Sequence, residues 1–429
     1  MEADAHVART LLFEMKKKME LLAPAGDLEK LKIAIIYGAD AVYFGGSMFS
    51  LRAGAGGLSI PEIREGLKFA HDRGRKCYLT VNIYPHNEDI GPLADYLRSV
   101  KDLGIDGFLV SDPGVVEMVR EIVPDGAVHI STQANTTNTA AARFWASMGA
   151  KRIVLARELS LTEIRQIRDS LPETVELEAF VHGAMCISYS GRCLLSNFMA
   201  ERDSNRGSCA HPCRWHYTLE EEKRPGEHFP IEEDARGTYI FNSNDLCMIE
   251  HIDDLAKAGV SSAKIEGRMK SIYYVATVTA AYRRAIDAYY AGRYTSEVKA
   301  ECLEEVGKAS HRRFTTGFYY GKPTNKDQNY ESTSYIRDYD FTGLVRSYDE
   351  ASGMAVVEQR NKMSVGDTVE IFGPYTDPFE MELTEMRDFE TGEPVSSAPH
   401  PQQMLTIRMT RPVRENFMIR LKKRENSND

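Results

Sequence analysis

Cys186, Cys193, Cys209, Cys213 and Cys247 fall within 62 residues of a 429-residue chain, beside Arg192, Arg206 and Arg214 and near Gly191 and Gly207. Thiolates bunched among cations and free loop amides suit a metal or an iron–sulfur group, whose negative charge those neighbours offset. Six residues separate Cys186 from Cys193, three separate Cys209 from Cys213, and 33 separate Cys213 from Cys247. Zinc knuckles want closely paired cysteines, which only Cys209 and Cys213 supply, so zinc is the weaker fit. A 4Fe–4S cluster needs four thiolates and tolerates irregular spacing. Cys77 in a strand-like run and Cys302 in a helical one read as small buried hydrophobes.

The elements that must position these thiols follow a repeated phrase: a helical stretch ends in glycine, and a short apolar run follows. It occurs at Gly38 before AVYFG, Gly74 before CYLTVN, Gly104 before GFLVSD, Gly149 before RIVLAR and Gly259 before AKIEGR. Glycine suits the left-handed position that closes a helix, and such runs are apolar enough for burial on both faces. With ELLAPAG at 20, VHISTQ at 128 and ELEAFVHG at 176 the count reaches eight strands separated by helices, an α/β fold read as a TIM-like (β/α)8 barrel over 19–309. An open doubly wound sheet would give the same alternation. In a barrel the residues just past each strand line the active face. Here they include Asp27, Asn82, Asp112, Gln133, Arg157, Glu158, His182, Glu266 and Arg268. Asp27 and Asp112 are explained equally well as helix caps, but the ring as a whole describes a polar pocket.

About 78 residues separate His182 from the last strand near Gly259, far more than a usual βα connection, and this insertion (about 183–258) carries the cysteine cluster. Residues 1–18 form an N-terminal extension, 310–340 read as a linker, and 341–429 carry short β-rich runs expected to form a small C-terminal all-β barrel domain.

A net charge of −10 excludes indiscriminate polyanion binding but leaves local basic patches around the cysteines and along 408–424. The opening twenty residues mix both charges and no apolar run reaches membrane length, so a cytoplasmic chain with reduced thiols and no membrane contact is expected.

EAFVHGAMCISYSGRCLLSNF and RDSNRGSCAHPCRW, with ELLAPAGDLEKLKIAIIYGADAVYFGG, STQANTTN and KIEGRMKSIYYVATV, resemble the signature of the collagenase-like peptidase family U32 across most of residues 19–429. The resemblance is nearest to its tRNA hydroxylation branch. It implies oxygen-independent formation of 5-hydroxyuridine at the wobble position of tRNA, with prephenate as oxygen donor and a homologous partner subunit as an open possibility. It also implies a 4Fe–4S cluster on Cys186, Cys193, Cys209 and Cys247, with Cys213 competing for the fourth place. Prephenate is a dicarboxylate, so Arg52, Arg157 and Arg268 are candidate anchors, with Asn82 and Gln133 beside them. His182 and Glu266 are the candidate acid/base pair, and Arg268 joins them as a catalytic candidate. Structural ion pairing explains Glu266 and Arg268 about as well.

The family name suggests the rival reading, a peptidase. The chain has no H-E-x-x-H and no G-x-S-x-G, and a dyad would have to draw Cys186 or Cys193 together with His182. Hydroxylation of another RNA is a second alternative. A third makes the chain a binding protein, whose β-domain would present Arg408, Arg411, Arg414, Arg420 and Lys422–Arg424 to RNA, with Trp215 or Tyr217 stacking on a base.

Overall fold

A computed structural model describes residues 18–50, 57–186, 188–189, 192–202, 204–206, 209–210, 212, 219–220, 228–229, 233–234, 237–238, 244–322 and 335–423. Seven parallel strands come in chain order: β1 (Glu20–Ala25), β2 (Ala41–Gly45), β3 (Lys76–Val81), β4 (Gly107–Val110), β5 (Val128–Ile130), β6 (Arg152–Val154) and β7 (Glu176–Ala184). The insertion then contributes β8 (Asp245–Cys247), and the eighth barrel strand, β9 (Ser262–Ile265), pairs with both β7 and β1 to close the ring. The closed TIM-like barrel is therefore the fold, and an open sheet is excluded.

Local sequence explains the helices between strands. Asp27 caps α1 (Leu28–Ile36) by accepting from the Lys30 amide, Ser59 and Glu62 form a reciprocal capping box on α2 (Ile60–His71), and Asp112 caps α4, the helix Pro113–Ile122 that follows α3 (Asn87–Val100). After α5 (Thr139–Ser147), Ser160 and Glu163 repeat the box on α6 (Leu161–Asp169). Gly38, Gly74, Gly104, Gly149 and Gly259 all take positive φ, between 65° and 106°, at the helix-to-strand joints that their spacing marks.

The floor of the barrel is ionic. Arg152 is 2% exposed and meets Glu20 at 2.6 Å, Glu176 at 2.6 Å and Glu178 at 3.0 Å, while Lys264 meets Glu178 at 2.8 Å. Burial alone would raise the Glu178 carboxyl, but Lys264 and Arg152 hold it below the ordinary range.

The insertion does not stay outside the sheet as one long loop. Its end, β8, pairs antiparallel with the last residues of β7, Cys247 opposite His182, and β10 (Phe314–Thr315), within the stretch expected as linker, pairs with β8 in turn. Within β7 the register shifts: Lys264 pairs with Phe180 but Ile265 pairs with His182, so one extra residue is accommodated in β7. Such a bulge reverses the alternation of side chains beyond it.

The C-terminal unit is a seven-stranded antiparallel half-barrel. Its strands are β11 (Tyr339–Asp349), β12 (Met354–Gln359), β13 (Thr368–Phe372), β14 (Phe379–Glu382), β15 (Met386–Asp388), β16 (Met404–Arg408) and β17 (Met418–Lys422), in the order β14-β13-β17-β11-β12-β16-β15. It packs on the barrel helices through Leu344, Phe372 and Met418 against Ile33, Tyr37, Ile272 and Tyr273. Arg420, expected as an RNA contact, is fully buried in that seam and grips Glu305 at 2.7 and 2.8 Å beside Glu370. Its charge is consumed by the domain contact, so it is withdrawn from any RNA surface.

Candidate functional site

A cavity of about 480 Å³, open mouth included, lies at the C-terminal ends of the barrel strands. Asn82, Gln133, Arg157, Glu266 and Arg268, chosen from sequence as strand-end residues, all line it, joined by Tyr43, Thr80, Ser131, Thr132 and Lys264. Arg52 lies outside the described residues.

Arg268 is 5% exposed and donates from Nη1 to Ser50 Oγ at 2.5 Å and to Thr80 Oγ1 at 3.3 Å. The guanidinium fits because residue 45 is glycine: a Cβ there would stand 2.3 Å from Arg268 Nη2. Arg157 donates to the Ala184 carbonyl at 3.1 Å and lies 4.1 Å above the Phe180 ring. Among the described residues no carboxylate pairs with Arg157, and its buried Nε has no partner. Glu266 Oε2 accepts from the Tyr43 hydroxyl at 3.3 Å, and that hydroxyl also donates to the Ile265 carbonyl at 2.9 Å. Asn82 Nδ2 donates to Ser131 Oγ at 3.1 Å and to Gln133 Oε1 at 3.2 Å, which sets both amides on the wall.

Lys264 was not singled out from sequence. It sits within β9 rather than past its end, 3% exposed, with Nζ 4.4 Å from the Tyr43 ring centre and 2.8 Å from Glu178. Strict alternation through Lys264, Glu266 and Arg268 was the available signal. Burial lowers the Lys264 ammonium and Glu178 opposes that. With Lys264 neutralised by Glu178, Arg157 and Arg268 against Glu266 leave the lining cationic on balance, a site for a small anion.

His182 does not join this pocket. Past the bulge it faces outward from the barrel, 1% exposed among Tyr274, Tyr282 and Phe314, with Nδ1 unpartnered. Burial, with His311 and Lys270 nearby, pushes its pKa down to about 3. A neutral, enclosed imidazole on the far side of the wall cannot share a proton with a pocket substrate, so the expected His182–Glu266 pair is not assembled.

The thiols divide into two groups. Cys186 is exposed, and Cys193 and Cys209 are half-buried. The Leu195 amide donates to Cys193 Sγ at 3.3 Å, and Ser196 Oγ, on the next residue, accepts from the Ala210 amide at 2.9 Å next to Cys209. Amide donation onto sulfur is the contact that a cluster thiolate uses. Cys247 stands apart in the barrel core, its thiol 3.9 Å from the Tyr282 hydroxyl and pushed up to about 12 by burial. Its register partner is His182, within β7, whereas Cys186 follows the end of that strand. Cys213 lies outside the described residues. Among the described residues no three His, Cys, Asp or Glu side chains converge as a metal site. Cys186, Cys193 and Cys209 have the chemistry and the access of thiolate ligands without being gathered on one point, and Cys247 is buried.

Barrel, overlong cysteine-bearing insertion and half-barrel together define a TIM-like barrel protein with an appended β-domain. The family model "Peptidase family U32" matches residues 26–329, and "Peptidase family U32 C-terminal domain" matches residues 337–420. The chain belongs to peptidase family U32. It is 44% identical over 405 residues to tRNA hydroxylation protein P1 of Bacillus subtilis (strain 168), covering 94% of this chain and 95% of that one. It is 39% identical over 396 residues to tRNA hydroxylation protein P of Escherichia coli (strain K12), covering 83% and 86%. A protein named collagenase from Porphyromonas gingivalis (strain ATCC BAA-308 / W83) is 32% identical over 419 residues, covering 95% and 98%. Among the described residues no helix is long and apolar enough to cross a membrane.

Proposed function

We propose that this chain is an RNA-modifying enzyme that hydroxylates tRNA, converting the wobble uridine to 5-hydroxyuridine without molecular oxygen, with prephenate as oxygen donor. Two relatives matched over more than four-fifths of the chain are named for tRNA hydroxylation, which supports the RNA class. The observation that carries the donor assignment is the pocket itself, with Arg157, Lys264 and Arg268 around one carboxylate, Glu266. A dicarboxylate matches that balance, and planar guanidinium groups at two walls suit bidentate carboxylate binding. In this reading Arg157 and Arg268 orient the donor, Lys264 supplies the floor charge, and Glu266 exchanges a proton with the reacting groups while Tyr43 fixes its orientation.

The proposed cofactor is a 4Fe–4S cluster on Cys186, Cys193 and Cys209, with Cys247 as fourth ligand. The chain's own part is to deliver thiolates and to set the Leu195 amide on the Cys193 sulfur. When bound, the group would supply one-electron chemistry or a Lewis-acidic iron.

The peptidase reading fares worse, because His182, the base that its Cys–His dyad would draw on, is buried and faces away from the pocket. The test is anaerobic incubation of purified protein with prephenate and unmodified tRNA, followed by nucleoside mass spectrometry. Formation of 5-hydroxyuridine that depends on prephenate is expected; peptide cleavage without any tRNA product would reverse the assignment.

A further inference from the structure

The cysteine-bearing insertion and the pocket share one residue. Arg192, adjacent to Cys193, donates from Nε to the Tyr84 hydroxyl at 2.8 Å and to the Gln133 carbonyl at 3.0 Å, with its guanidinium carbon 5.3 Å from the Tyr84 ring centre. The Tyr84 hydroxyl donates to the same carbonyl. A second seam runs along the main chain. The Tyr84 amide donates to the Asn205 carbonyl at 3.1 Å, and the Asn205 side chain accepts from the Cys193 amide at 3.2 Å and donates to the Cys193 carbonyl at 3.1 Å. Ser204 Oγ donates to that carbonyl as well, at 2.5 Å.

Gln133 therefore has two engagements. Its carbonyl takes the insertion, while its side chain, held by Asn82 and Ser131, forms the pocket wall. An occupant that bonds to Gln133 stiffens the backbone on which Arg192 rests. The single Nε–H is shared between the two acceptors, and the guanidinium charge strengthens both contacts while the planar group lies near the Tyr84 ring.

We propose that Arg192 is a latch, a positioning residue that seats the Cys193 loop on Gln133 so that filling the pocket tightens the loop and a seated loop tightens the occupant. The two effects are one coupling free energy and must be equal in size. The inference rests on the reading that the pocket binds a small carboxylate. It places control of the thiol-bearing loop in the barrel mouth rather than in the thiols. Arg192 is exposed, so replacing it leaves the core untouched.

Hydrogen exchange read by mass spectrometry on the full chain, purified anaerobically, tests this, with prephenate as the probe and calorimetry reporting its binding. In the wild type, prephenate is expected to slow exchange at residues 192–205 and at Tyr84 by about tenfold, the range that one charge-assisted hydrogen bond supplies. Arg192→Gln is expected to abolish that response and to weaken prephenate by a similar factor, and Arg192→Lys to restore part of both. Prephenate binding with no change at 192–205, or Arg192→Gln responding like wild type, overturns the latch. Failure of wild type to bind prephenate overturns the carboxylate reading instead. The ligand-free comparison then decides the latch: Arg192→Gln must speed exchange at Tyr84 and Cys193 while leaving 60–71 unchanged, and no acceleration overturns it.

Discussion

Phe180 and His182 are two residues apart on one strand and face opposite sides of the barrel wall. Phe180 lines the pocket beneath Arg157, and His182 packs outward on Tyr282. The extra residue in β7 opposite the Lys264–Ile265 step separates them. His182 is therefore a structural group with its own pH signature, and the proposed proton exchange is left to Glu266.

That signature has a definite sign. His182 is neutral in the fold, with its pKa pushed down to about 3 from an ordinary 6.5, so the unfolded chain binds the extra proton. Its contribution is full above about pH 6.5 and is lost as pH falls toward 3, about 2 kcal/mol having gone by pH 5. His182→Phe should flatten this part of the stability profile, measured by urea unfolding at pH 7 and pH 5. Hydroxylation by the variant should stay within a few-fold of wild type.

Lys264, Glu178 and Arg152 form a buried network in which Glu178 keeps Arg152 when Lys264 is removed. Lys264→Met should therefore cost less than the ~3–5 kcal/mol of a fully orphaned buried charge, and adding Glu178→Gln, which also takes a partner from Arg152, should return only part of it. Hydroxylation should remain depressed in both variants, since the floor cation is missing from each. Thermal unfolding alongside the tRNA assay separates the two effects.

Gly45→Ala probes the seat of Arg268. The new methyl would stand 2.3 Å from Nη2, so the guanidinium must move while the barrel stays closed. Misplacement by about 1 Å costs on the order of 100-fold in rate, and kcat/KM for prephenate should fall by that order with an unchanged circular dichroism spectrum.

The thiols make a further prediction. Cys186→Ser, Cys193→Ser and Cys209→Ser should each lose iron, sulfide and visible absorption after anaerobic purification. Cys247→Ser should do the same and Cys213→Ser should not. Retention of iron by Cys247→Ser would move the fourth place to Cys213.

Much of the barrel was legible because its signals are local. Glycines with positive φ, Ser–Glu capping boxes and apolar strands are each written within a few residues. The pocket was legible for the same reason, since Asn82, Gln133, Arg157, Glu266 and Arg268 all follow strand ends. What escaped depends on pairing between distant segments. The outward turn of His182 is set by how β9 registers on β7, and the burial of Cys247 by the return of β8 to that same strand. Lys264 was hidden within a strand, and Arg420 looked like surface charge until Glu305 and Glu370 came to it from another helix and strand.

Nucleoside mass spectrometry of tRNA from cells lacking this protein, complemented with wild type or with Glu266→Ala plus Arg268→Ala, tests most directly whether the pocket hydroxylates tRNA. Hydroxylation by the pocket predicts loss of 5-hydroxyuridine-derived nucleosides in the deletion, recovery with wild type and none with the double variant. Unchanged tRNA nucleosides in the deletion, or full recovery by the double variant, would contradict it.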